Sequence, residues 1–297
     1  MKELKVSQSS NSGKSLVFGL SNVLFNQLNG LKASLERRKM IAERIFKSFD
    51  NDFLICAQNF TYKDARIFAE LGPEIENRCY IDSGGFILFK KEMEWGKDDP
   101  KFAKMCESTK NRFLKMLTCI KCKECFELDN EYFRKDEDLL SPKNYLREEV
   151  KAITGFYPTP VFKMHQGFEY WKRLCESDLY PRLAIGGLAQ TSSWHKYPEQ
   201  LRLMVAYAKL FNKKVHFLGC QNAATFRQCQ PDTVDYNITQ FNITMSLARR
   251  NNPEATEREL LKHFPLYAFA MAKVRSFLYD CFKREDDGAE EDEDTEE

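Results

Sequence analysis

The sequence predicts an α/β chain built as a (β/α)8 TIM barrel, with extra C-terminal helices and a disordered acidic tail. Eight short apolar or β-rich runs recur along it, charged amphipathic segments separate most of them, and a polar residue or glycine stands at the end of most runs. Strands alternating with helices imply parallel pairing through right-handed crossovers. Eight such units in about 225 residues suggest closure, although an open doubly wound sheet shares the alternation.

The runs are Leu16 to Leu20, Phe53 to Ala57, Cys79 to Ile81, Cys125 to Leu128, Val161 to Met164, Leu183 to Ile185, Val215 to Leu218 and Thr233 to Tyr236. Helical spacing of apolar residues marks Leu31 to Phe49, Lys63 to Leu71, Pro100 to Leu117, Pro142 to Ile153, Glu169 to Cys175, Pro198 to Leu210 and, more briefly, Ala223 to Cys229. Beyond the last run, Asn242 to Lys283 reads as helices that complete or cover the barrel. Thr256 and Glu259 fit a capping box there, and Leu260, Leu261, Phe264 and Phe269 supply an apolar face. No repeat or Gly/Pro-rich linker divides the chain, so residues 1–283 read as one domain and 284–297 as the tail.

At 297 residues the chain can bury a sizeable core. No apolar run reaches the roughly 20 residues a bilayer demands, and Met1 to Asn11 lacks the apolar centre of a signal peptide. The expectation is a soluble cytoplasmic protein with no membrane partner, its ten cysteines reduced. Ten of its 44 acidic residues lie in 285–297, which leaves residues 1–284 with 45 basic against 34 acidic groups, a net charge of +11. Such a body favours a polyanionic partner. The tail cannot form a core and is expected to be disordered, either solubilising or competing for the basic surface.

Most informative are the residues that follow the runs. Asn59 follows the second, Asp82 ends the third, Asp129 ends the fourth and His165-Gln166-Gly167 follows the fifth. Gly186-Gly187 ends the sixth, Gly219 ends the seventh and Asp235 lies in the eighth. In a parallel barrel these positions converge on one mouth, where such enzymes place their chemistry. Singly each suits a cap or a turn; together, three carboxylates, an amide and open backbone suit a planar hydrogen-bonding ligand. Around Asp82, Ser83, Gly84 and Gly85 let backbone approach such a ligand closely.

Ile81-Asp82-Ser83-Gly84-Gly85-Phe86 resembles the D-S-G-G-F signature of the tRNA-guanine transglycosylases, with Ile87 where that family usually has glutamine. Leu128-Asp129 is similar to its second aspartate strand, His165-Gln166-Gly167 to its V-Q-G segment and Ala184-Ile185-Gly186-Gly187-Leu188-Ala189 to its G-G-L-A turn. Phe217-Leu218-Gly219 and Asp232-Thr233-Val234-Asp235 are similar to L-M-G and D-M-F-D. Six motifs in order span about residues 79 to 237. The resemblance implies Asp235 as nucleophile and Asp82 as general acid/base. It further implies Asp129, Gln166 and the backbone of Gly187 and Leu188 as readers of the purine edge, with Ser83 and Gly84 among the substrate-binding residues.

The chemistry agrees independently. Cleaving an N-glycosidic bond develops positive charge on the sugar, which a carboxylate can stabilise and then trap at C1′. A second carboxylate manages the proton of the departing and incoming base.

The family's zinc motif, C-x-C-x-x-C with a distant His after the nucleophile strand, is absent: no cysteine lies between Cys229 and Cys281. Its P-T-R is replaced by Asn237-Ile238-Thr239-Gln240. These losses look more like the phage and bacterial transglycosylases that insert 7-deazaguanines into DNA, the DpdA family. DNA and a base such as 7-cyano-7-deazaguanine are therefore the expected partners, with tRNA as the alternative substrate and a catalytically silent nucleic-acid-binding barrel as an alternative of another class. Lys90, Lys91, Arg227, Arg249 and Arg250 are candidate phosphate contacts. No cofactor is assigned; Cys119, Cys122 and Cys125 have zinc-like spacing but no evident fourth ligand, and His216, Cys220 and Cys229 form a looser set. Ser12-Gly13-Lys14-Ser15 mimics a P-loop but has Gln8 where the first glycine belongs. Phe168, Tyr170 and Trp171 read as core, and His195 as a surface-loop residue without a role.

Overall fold

Eight strands pair in parallel in the order β4-β3-β2-β1-β8-β7-β6-β5 in a computed structural model, which describes residues 16–20, 43, 52–58, 70, 72–188, 198–220, 225 and 228–237. They are β1 Leu16–Leu20, β2 Asp52–Cys56, β3 Cys79–Asp82, β4 Glu124–Cys125, β5 Val161–Phe162, β6 Arg182–Ile185, β7 Lys214–Phe217 and β8 Thr233–Asn237. Each overlaps one of the eight apolar runs, β4 at Cys125 alone. Between them stand α1 Pro73–Glu76, α2 Gly85–Trp95, α3 Pro100–Cys119, α4 Arg147–Thr154, α5 Phe168–Glu176 and α6 Pro198–Leu210.

Local chemistry explains the helix ends. Asp99 accepts a 2.7 Å hydrogen bond from the Lys101 amide and Pro100 opens α3, a capped start with proline where no donor is needed. Gly155 closes α4 in the left-handed conformation, at φ 83°. Helix α2 was not expected from the sequence, where Gly84-Gly85 reads as a turn. Gly84, at φ 92°, is the residue that turns the chain from β3 into this helix. The segment predicted as one helix from Pro142 splits into a 3-10 turn, Asn144–Leu146, followed by α4.

The two faces of the sheet bury different things. Phe53, Ile55, Cys79, Ile81, Leu183, Ile185, Val215, Phe217 and Val234 pack in one cluster with Phe102, Phe113, Trp171, Leu174, Leu201 and Val205 of the helices. Leu54, Tyr80, Phe126, Val161 and Ala184 form a separate cluster on the other face. This is the period-2 alternation of strands buried on both sides. The second face is strongly curled. Tyr80 of β3 stacks on His216 of β7 with ring centroids 6.2 Å apart, whereas four strand spacings in a flat sheet would span about 19 Å. Arg182 of β6 likewise reaches Glu124 of β4 at 2.5 Å and the Tyr80 hydroxyl at 3.1 Å. One more parallel bridge pairs Phe126, just past β4, with Thr159, just before β5.

Among the described residues no helix is long and apolar enough to cross a membrane. The expected helices at 31–49 and 63–71 lie almost wholly outside the described residues. The helices of 242–283, the acidic tail, Asn59, Ser12-Gly13-Lys14-Ser15, His195, Arg227, Arg249 and Arg250 lie outside them entirely.

Candidate active site

Asp82 is the last residue of β3, and its Oδ1 accepts from the Gly84 amide at 3.1 Å, in the turn that starts α2. The residue is half-buried, and the loss of water around its carboxyl pushes the pKa from 3.8 up to about 6. The bonds from Gly84 and from the Cys56 thiol oppose the shift, while the like charges of Asp235 and Asp129 add to it. Three carboxylates from distant parts of the chain therefore share one electrostatic neighbourhood.

Asp235 lies in β8 and is 8 % exposed. Its Oδ1 accepts from the Gly219 amide at 2.6 Å and lies 3.2 Å from His216 Nε2. No described residue hydrogen-bonds Oδ2. Strand alternation accounts for the meeting: Thr233 and Asp235 point to one face of β8, and β7 brings His216 into register with Thr233.

Asp129 follows β4, and its Oδ2 forms a 2.9 Å ion pair with Lys163. The same ammonium also donates to the Asp129 carbonyl. A Cβ at Gly85 would overlap Asp129 Oδ1, so the second glycine of the pair is what lets this carboxylate lie against the start of α2. Gln166, in the 3-10 turn Met164–Gln166, accepts the Lys163 amide on Oε1 at 2.7 Å. No described residue engages the donors of its side-chain amide nitrogen. Ser83 is buried, and its hydroxyl donates to the Glu127 carbonyl at 2.8 Å, which ties the end of β3 to the chain beyond β4. Gly187, at φ 81°, and the buried Leu188 follow β6.

Three participants are not assigned to this site from the sequence, where His216 figures only in a loose set with Cys220 and Cys229. Lys163 lies inside the fifth run, Val161 to Met164, but the strand ends at Phe162, so the lysine stands at a strand end as the carboxylates do. His216 stands between Val215 and Phe217, whose apolar side chains face the helices, so alternation alone sends it to the opposite face. Gln58, just after β2, packs over Gly84: a Cβ there would lie 2.5 Å from Gln58 Cγ. Its Nε2 is buried with no hydrogen-bond partner among the described residues.

Phe168 corrects an expectation. Tyr170 and Trp171 are core, but Phe168 is 45 % exposed with the Lys172 ammonium over its ring. It occupies the first turn of α5, where its ring meets Tyr207 edge-on at 5.9 Å between centroids and leaves its other side to solvent. Of the phosphate-contact candidates within the described residues, Lys90 lies 4.3 Å over the exposed Phe86 ring and Lys91 pairs with Glu94 at 2.6 Å.

The cysteines with zinc-like spacing, Cys119, Cys122 and Cys125, lie within the described residues. Cys125 is buried in the core, where the hydrogen bond its thiol donates to Cys122, together with burial, raises its pKa well above the ordinary thiol value. Among the described residues no three His, Cys, Asp or Glu side chains are placed to hold a metal ion.

A stability consequence follows for Asp82. The folded carboxyl binds its proton more tightly than the unfolded one, so the protonated form stabilises the fold. That contribution is complete below about pH 4 and is lost as pH rises through 6. At ~1.4 kcal/mol per pKa unit the cost of ionisation is about 3 kcal/mol. Asp82→Asn is expected to melt with the wild type at pH 4 and several degrees above it at pH 8. An offset that does not change with pH would refute the raised pKa.

No protein-family model matches the chain, and no curated protein matches it.

Proposed function

We propose that the chain closes its parallel sheet as a (β/α)8 barrel and acts as a base-exchange transglycosylase. It replaces guanine in DNA with a 7-deazaguanine, such as 7-cyano-7-deazaguanine, through a covalent aspartyl-sugar intermediate. The bridge between Phe126 and Thr159 supports closure, since it links the chain beside the first and last strands of the order. One observation carries the reaction: Asp82 and Asp235 feel each other's charge across one site, and the former holds its proton to about pH 6 while the latter is clamped through a single oxygen.

In the first half-reaction Asp235 Oδ2 forms a bond to C1′ as the C1′–N9 bond breaks. The electron pair leaves on the guanine, which takes a proton from Asp82. In the second, Asp82 removes the N9 proton of the incoming base, N9 attacks C1′, and the ester electron pair returns to Asp235. A pKa near 6 suits a group that must give a proton and then accept one close to neutrality. Gln166 can donate its free amide to guanine O6. The pair with Lys163 does not exhaust Asp129, because a carboxylate has about four acceptor sites, enough to receive N1–H and N2–H as well.

Incubation with labelled guanine and either duplex DNA or tRNA tests the reading. Label is expected in DNA, and nucleoside mass spectrometry should then detect the 7-deazaguanine when that base is supplied. Label in tRNA alone would move the same chemistry to the alternative substrate. Salt-sensitive binding to either polymer with no incorporation would leave a silent nucleic-acid-binding barrel and sink the enzymatic reading.

A further inference from the structure

His216 is fully buried, and each of its ring nitrogens faces a named partner. Nε2 lies 3.2 Å from Asp235 Oδ1 and Nδ1 lies 2.8 Å from Thr233 Oγ1. A carboxylate oxygen only accepts, so the short contact makes Nε2 the donor, and the Thr233 hydroxyl rotates to suit the other nitrogen. The ring plane is held as well: Phe126 lies against it at 4.8 Å and Tyr80 at 6.2 Å. An imidazole fixed at both nitrogens and by two rings has one orientation available.

We propose that His216 is a positioning residue that, with the Gly219 amide, fixes which oxygen of Asp235 attacks. This inference rests on Asp235 being the nucleophile. With both donors on Oδ1, Oδ2 is the oxygen left to bond C1′. Once the ester forms, Oδ1 becomes its carbonyl oxygen, and the same N–H groups polarise it. When the incoming base displaces the ester, charge returns to a carboxylate that already has its donors in place. This is preorganised stabilisation that costs no rearrangement at the moment of reaction. His216 gains and loses no proton in either half-reaction.

A satisfied core histidine would show the same packing, so the test must separate the donor from the ring. His216→Phe keeps a ring against Phe126 and Tyr80 and removes the donor. His216→Gln returns an amide donor near the Nε2 position, whereas His216→Asn returns one near Nδ1, toward Thr233. With wild-type exchange first established, His216→Phe is expected to lose about 10²-fold in kcat with the KM for the base changed less than about threefold. His216→Gln is expected to stay within about tenfold of wild type, and His216→Asn to resemble the Phe variant. Denaturing gels should show the covalent adduct forming correspondingly slowly. Should the Phe variant not fold, the Gln and Asn pair alone decides. Equal activity in Gln and Asn, or full activity in Phe, overturns the positioning role while leaving the transglycosylase reading intact. Absence of exchange in the wild type instead rejects that reading.

Discussion

Asp235→Asn is expected to abolish base exchange, with a loss of at least about 10³-fold, and to leave no covalent protein–nucleic acid adduct on a denaturing gel. The substitution is nearly isosteric. An amide oxygen in place of Oδ1 still accepts from His216 Nε2 and the Gly219 amide at 3.2 and 2.6 Å, so the local network has no reason to collapse. What disappears is the negative charge that would stabilise the developing cation on the sugar, and the nucleophile that would trap it. Thermal melting should therefore stay close to that of the wild type, which separates loss of chemistry from loss of fold. Undiminished exchange in this variant would reject Asp235 as nucleophile and with it the proposed reaction.

Arg147→Leu carries the largest expected cost in stability. Arg147 is wholly buried; its Nε pairs with Glu127 Oε2 at 2.7 Å, its Nη1 donates to the Leu139 and Ser141 carbonyls, and its Nη2 contacts the Tyr170 hydroxyl. The rings of Tyr145 and Tyr180 lie 5.2 and 5.3 Å from the guanidinium. Glu127 in turn accepts the Val161 amide on Oε1 at 2.8 Å, so one ion pair ties β5, α4 and the chain after β4 together. Burial, with a smaller push from the like charge of Asp129, raises the Glu127 pKa, and Arg147 is the main opposing influence. Removing the cation strands that carboxylate in a dry interior, a loss of about 3–5 kcal/mol that lowers the midpoint by about 10 °C or more. The double variant Arg147→Leu with Glu127→Gln should recover part of the loss, because the second change removes the orphaned charge. A single-variant loss below about 1 kcal/mol would show that water reaches this pair.

Asp129 lies two residues beyond Glu127, and Ser83, beside Asp82, bonds the Glu127 carbonyl. The destabilised protein should therefore exchange bases poorly even at temperatures where it stays folded.

Several features were legible because they depend on nearest neighbours along the chain. All eight apolar runs carry strands, since short apolar runs bounded by polar residues must be buried on both faces to be stable. Pro198–Leu210 begins and ends where its proline and apolar spacing place it. Other features misled for equally local reasons. Gly84-Gly85 has the composition of a turn, yet the same left-handed glycine serves as the start of α2. The run from Cys125 to Leu128 is uniformly strand-like, but the ladder of β4 covers only Glu124–Cys125. Beyond the bridge at Phe126, the Glu127 side chain is committed to Arg147 and the Val161 amide.

The sequence by itself determined where the eight strands lie, the parallel sense of their pairing, several of the helices between them, and which polar residues would stand at strand ends. Those follow from hydrophobic period and from glycine and proline chemistry, which act over a few residues. Only the tertiary structure decided that Lys163 would neutralise Asp129, that His216 would clamp one oxygen of Asp235, that Gln58 would lie over Gly84, and that Asp82 would keep its proton to about pH 6. Partners and pKa values of this kind depend on distances of a few ångströms between residues far apart in the chain, and on how much water the packing removes.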